Sequence, residues 1–336
     1  MIEGQRLMML RIKQFLDLAG LTALEALRQP ICLLLTAGCV ALIAAVPLVI
    51  MHTFGEDGKQ VRDGALAFHF VFGLFIAGHA AGTMLSREMK SGTASVVLSK
   101  PVSRELFFLS KFAGIVIVVL LFSVCATLAT LLSERVAEKF YFTNTIVGYI
   151  TDIRTGMLLF AAPFAACIAA AIINYRLKRP FASTAFIMLL FFLLLVLVIS
   201  GLFERTGSWM PYDFRVQWRI VPVSILITMA LVVLSAIAVT VSTRLDMAPT
   251  LVICGTALLI GLMSDYIFGR LAPGSRVFAF FYAVIPNWQH FWTADALTAD
   301  GAVPLKYIMN AGLYAALYSF SILCIGMLSF RHAEMK

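Results

Sequence analysis

Between Pro30 and Phe330 the chain is divided into eight apolar blocks, each close to the length of a membrane-crossing helix. They run approximately over 30–51, 64–85, 112–132, 156–175, 181–203, 220–243, 250–268 and 307–330. Crossing about 30 Å of hydrocarbon takes about 20 helical residues. A backbone in lipid must satisfy its own polar groups, so blocks of this kind fold as helices. The mean hydropathy of +0.94 and a charged fraction of 13% agree with this, since soluble domains carry roughly 25%. The expected fold class is therefore an all-α integral membrane protein, a polytopic helical bundle of about eight transmembrane helices (six to eight).

Lys and Arg fall between the blocks, as expected where a charge at the bilayer centre costs roughly 3 kcal/mol. The net charge of +8 then reads as membrane orientation and attraction to anionic headgroups. No basic and aromatic surface module suggests nucleic acid. The densest basic segments are the turn Arg176–Pro180 and the 86–111 loop, which puts both on the cytoplasmic side together with the two termini. Arg176–Pro180 makes the fourth and fifth blocks a tight hairpin, and Arg244–Pro249 does the same for the sixth and seventh. Trp209, Trp218, Trp288 and Trp292 fall to the outer side, where an aromatic belt is expected.

The six cysteines lie inside apolar blocks with no CxxC pair, and read as packing residues. No removable signal peptide is expected. Residues 1–29 read as an amphipathic interfacial helix. Met8, Ile12, Phe15, Leu16, Ala19, Ala23, Ala26 and Leu27 share one face, while Leu10, Leu18, Leu21 and Leu24 spill onto the polar side. Residues 30–336 form a single transmembrane domain. Its 269–306 loop, broken by Pro273 and Pro286, reads as an outer interfacial or re-entrant segment. The loop from Ser133 to Thr155 has room for a short surface helix.

The inner loop SREMKSGTASVVLSKPVSRELFFLSK, from Ser86 to Lys111, is the most informative segment. Ser86 to Lys90 can prolong the second span. Gly92 permits a turn that a Cβ would resist. Thr93 can cap a short helix bearing Val96, Val97 and Leu98, which Pro101 stops. Ser103 can cap the next helix, with Glu105 in its first turn. The product is a helix–turn–short helix–turn–helix knuckle carrying Arg87, Lys90, Lys100, Arg104 and Lys111.

This order of residues resembles the cytoplasmic loop of ABC-2 type transporter permeases. The resemblance rests on Glu88, Gly92-Thr93, Ala94 to Ser99, Lys100-Pro101, Ser103-Arg104 and Lys111. IPNWQHF before the last block and SFRHAEM after it are similar to the family's closing pattern. The resemblance implies a permease subunit in a bacterial cytoplasmic (inner) membrane, an exporter. It would work with cytoplasmic ABC ATPase subunits and a second permease, identical or different. It also implies that the knuckle docks on the ATPase and transmits its closure. Arg87, Glu88, Lys90, Gly92, Thr93, Val96, Val97, Leu98, Lys100, Pro101, Ser103, Arg104 and Lys111 would then form the coupling site. ATP and magnesium would belong to the partner, with no cofactor in this chain. Many members have six spans, against eight blocks here.

No phosphate loop, H-E-x-x-H or G-x-S-x-G occurs, so the chain is not expected to be an enzyme. His69 and His79 lie about 15 Å apart along one helix and on different faces, so they cannot share a metal. They read as hydrogen-bonding residues of the bundle. Asp265 reads as an interfacial residue. Gly78 and Gly82, with Gly73 above, form a small-residue stripe for close helix contact. The methionines read as soft packing rather than a copper path. Three rival readings remain: a secondary transporter or channel, which needs an intramembrane ionisable site or inverted repeats, a membrane enzyme or redox subunit using His69 or His79, and an ABC-type subunit that transmits force or extracts a lipid or lipoprotein.

Overall fold

The computed structural model describes residues 2–50, 58–90, 103–142, 147–205, 209 and 216–331. Its helices are α1 (Ile2–Leu27), α2 (Pro30–Val49), α3 (Lys59–Lys90), α4 (Arg104–Val136), α5 (Ile153–Leu177), α6 (Phe181–Leu202), α7 (Ile220–Ser242), α8 (Met247–Leu262), α9 (Arg276–Val284) and α10 (Leu305–Arg331). A hairpin of β1 (Lys139–Phe142) and β2 (Val147–Ile150) joins α4 to α5.

Local chemistry sets the helix ends. Pro30 opens α2, where its missing N–H costs nothing. Ser103 caps α4 by accepting from Leu106 N at 3.2 Å, and Asp152 caps α5 by accepting from Thr155 N at 3.1 Å. Hydroxyls in the interior bond to their own helix four residues back: Thr36 to Cys32 O, Thr130 to Ala126 O, Ser235 to Leu231 O. A polar side chain in an apolar surround needs such a partner.

Among the described residues, seven helices (α2 to α7 and α10) are long and apolar enough to cross a membrane. The seventh block of the sequence is the exception. α8 has 16 residues, about 24 Å, and continues after a 52° bend through Asp265–Gly274. Among the described residues the bundle thus has seven helices of spanning length and one bent pair. α3, α4 and α7 form its centre, each about two thirds buried, whereas α5 and α10 are only 28% buried and present most of their surface outward. α5 and α6 pack on each other as a hairpin, and α10 packs on α7.

The segment from Ser133 to Thr155, with room for a short surface helix, carries the β1–β2 hairpin instead. Aromatic residues decide it: Phe140 faces Tyr149 across the strands, ring centroids 5.4 Å apart, the cross-strand pairing that favours a ladder. The 269–306 loop folds into α9 and short 3-10 turns and does not cross the bundle. Its aromatics divide. Phe280 is exposed, but Trp288 is wholly buried. Trp288 Nε1 donates to Ala257 O of α8 at 2.9 Å, at a point where Gly261 leaves room for the indole. Trp288 is therefore a core anchor and not a belt residue, while Trp209 and Trp218 are exposed.

Candidate functional site

The helices alternate in direction, so one end of the bundle gathers the first turn of α2, the last turns of α3 and α10, the first turns of α4 and the two hairpin turns α5–α6 and α7–α8. At this end Gln29 accepts from His79 Nε2 at 2.8 Å and lies 3.4 Å from Thr83 Oγ1. Thr83 Oγ1 also donates to His79 O at 2.8 Å. The start of α2 is thereby tied to α3.

The exit of the 86–111 loop is held more firmly. Arg104 Nη1 donates to the Arg331 carbonyl at 2.9 Å, and Arg331 Nη2 pairs with Glu105 Oε1 at 2.7 Å. From the α7–α8 turn, Arg244 Nη2 donates to the Ser329 carbonyl at 3.0 Å and its Nε to Ser329 Oγ at 3.1 Å. The last carbonyls of a helix have no partner within it, and they form the negative pole of its dipole. Two arginines from two different elements thus cap α10. Beneath them, Phe330 lies against Phe107 and Phe108, with centroids 6.0 and 5.8 Å apart. Lys111 is buried, its ammonium 5.4 Å from the centre of the Phe107 ring.

Of the sequence-derived site, then, Ser103 caps a helix, Arg104 faces α10 and Lys111 points into the bundle. Arg87, Glu88 and Lys90 lie on the last turn of α3. Gly92, Thr93, Val96, Val97, Leu98, Lys100 and Pro101 lie outside the described residues.

The glycine stripe of α3 meets α7 and α8 of the same chain. A Cβ on Gly73 would strike Leu231. One on Gly78 would come within 2.5 Å of Leu251 Cδ2, and one on Gly82 within 2.6 Å of Met247 Cα. His79 is hydrogen-bonded as the sequence suggested. His69 is not: it is fully buried, its ring is edge-on to Phe122 at 5.6 Å, and neither nitrogen has a partner among the described residues. No group of three metal-ligating side chains occurs among the described residues.

At the opposite end lies a buried polar group that sequence reasoning missed. Arg135 Nε pairs with Asp152 Oδ2 at 2.9 Å, and Arg135 Nη2 donates to Phe203 O at 2.7 Å. Thr155 Oγ1 lies 2.8 Å from Asp152 Oδ2 and 3.0 Å from Ser200 Oγ. α4, α5 and α6 are joined there by one network. Asp265 accepts from Tyr282 Oη at 2.7 Å and Asn287 Nδ2 at 2.8 Å, which ties the bend after α8 to α9. The bond to Asp265, with burial second, raises the Tyr282 phenol above its ordinary pKa.

Residues 27–184 match the model of a family described as ABC-2 family transporter protein. The match runs from the end of α1 to the first turn of α6 and includes the whole 86–111 loop. No curated protein and no solved structure matches the chain.

Proposed function

We propose, from the family match over residues 27–184, that this chain is the permease half of an ATP-driven exporter of the ABC-2 type. The family match carries the reading, because the matched stretch contains the Glu88–Arg104 knuckle. In this reading a separate ABC ATPase pair binds ATP and magnesium on the cytoplasmic side. The pair closes and pushes the knuckle, and the bundle shifts between two packings. A second permease, identical or different, completes the assembly in a bacterial cytoplasmic membrane, with both termini cytoplasmic.

The capped end of α10 supports a path for that push. Movement of the knuckle's exit helix α4 reaches α10 through Arg104 and Glu105, and α10 is in turn held to the α7–α8 turn through Arg244. Gly92→Pro, or charge reversal at Arg87 and Lys90, should leave membrane insertion intact. Either change should weaken ATPase association or uncouple ATP hydrolysis from transport. A pull-down showing undiminished association, with hydrolysis still coupled in both variants, would overturn the assignment.

A further inference from the structure

We propose that the α5–α6 turn seats the phosphate of an anionic phospholipid headgroup, in the leaflet on the side of the bundle where α3 and α10 end. The inference does not depend on the ATPase reading. Three cations, Arg176, Lys178 and Arg179, are exposed within four residues and make no ion pair among the described residues. The hairpin supplies nothing to neutralise them, since the chain has no acidic residue between Asp152 and Glu204.

The backbone of this turn is fixed. Lys178 N bonds to Asn174 O at 3.0 Å, and the Asn174 side-chain amide donates to Arg179 O. Lys178 sits at φ 54°, the only non-glycine residue with positive φ among the described residues. Glycine is the usual residue at such a helix end, and a Cβ there is disfavoured. Keeping a lysine at this position retains its charge against the preference of the backbone. Asn174 would suit that conformation, but it lies one turn earlier and braces the turn instead.

The next helix adds donors. α6 begins at Phe181 behind Pro180, which gives it no side-chain cap, so its first-turn N–H groups and the positive pole of its dipole lie beside Arg179. Such a helix start favours a phosphate. The flanking side chains say which phosphate. Tyr175, Leu177 and Phe181 are all exposed around the cations, and the Lys178 ammonium lies 5.6 Å from the centre of the Tyr175 ring. Apolar and aromatic groups interleaved with cations suit the border between headgroup and acyl chain, not open water. α5 and α6 are also among the least buried spans, so lipid can approach the turn from the flank.

The test uses the full chain in lipid nanodiscs and in detergent. Native mass spectrometry with equal amounts of phosphatidylglycerol and phosphatidylcholine should show the chain retaining the anionic lipid several-fold over the zwitterionic one. Phosphatidylglycerol should also raise its melting temperature, while inorganic phosphate should not. R176Q/K178Q/R179Q, all at exposed positions, should lower that selectivity at least five-fold. K178G relieves the positive-φ position and should melt no lower in phosphatidylcholine, yet retain less phosphatidylglycerol. Equal retention of the two lipids, or unchanged selectivity in the triple variant, would overturn the proposal. So would stabilisation by inorganic phosphate alone equal to that of the lipid.

Discussion

At the scale of single residues, the described part of the molecule holds both partnered buried polar groups and unpartnered ones, His69 among them. Arg135 and Asp152 are 1% and 5% exposed at their side chains, and removing one partner of such a pair costs about 3–5 kcal/mol. Arg135→Met should therefore lower the melting temperature sharply in detergent. Adding Asp152→Leu should recover part of the loss, because no lone charge then stays buried. His69 behaves in the opposite way. A buried polar group without a partner costs about 1–3 kcal/mol, so His69→Phe, packed on Phe122, should raise the melting temperature. A fall would mean that His69 finds a partner in another packing of the bundle. The sequence marked both histidines as polar residues within a span, but it could not tell them apart. The difference lies in Gln29, 50 residues before His79, and long-range partners leave no periodic trace. The role of Trp288 was hidden for a related reason: a tryptophan in a loop looks like an interfacial anchor until the cavity beside Gly261 is known.

At the scale of elements, the helices were legible because each carries its own signal of length and hydropathy. The glycine stripe on α3 was legible as a contact face but not its partners, which the structure shows to be α7 and α8. Gly82→Leu sets a side chain against the Met247 backbone, which cannot yield as a flexible tip would. Overpacking of this kind costs about 1–3 kcal/mol, to be seen as a lower melting temperature and a broadened monomer peak on size exclusion. The bend after α8 was not legible, because hydropathy averages over residues 250–268 and is blind to helix direction. The β1–β2 hairpin was missed because its two strands of four residues are too short to show clear alternation.

At the scale of the whole molecule, the pairing of helix ends fixes which turns share a face. In a background with the native cysteines replaced, Arg179→Cys and Trp209→Cys, both exposed, should react with a membrane-impermeant maleimide from opposite sides of a vesicle. Reaction from one side would overturn the alternation of spans. The resemblance was readable from the order of residues in one loop, and the family match over 27–184 agrees with it. The clasp on α10 was not readable, since Arg104 and Arg331 are 227 positions apart. The ion pair between α4 and α5 also bears on how the protein is made. Arg135 leaves the ribosome 17 residues ahead of Asp152, in the last turn of α4 and just past the third apolar block. The third crossing can therefore enter lipid without its partner, and the ion pair that ties it to the fourth closes only once Asp152 has emerged.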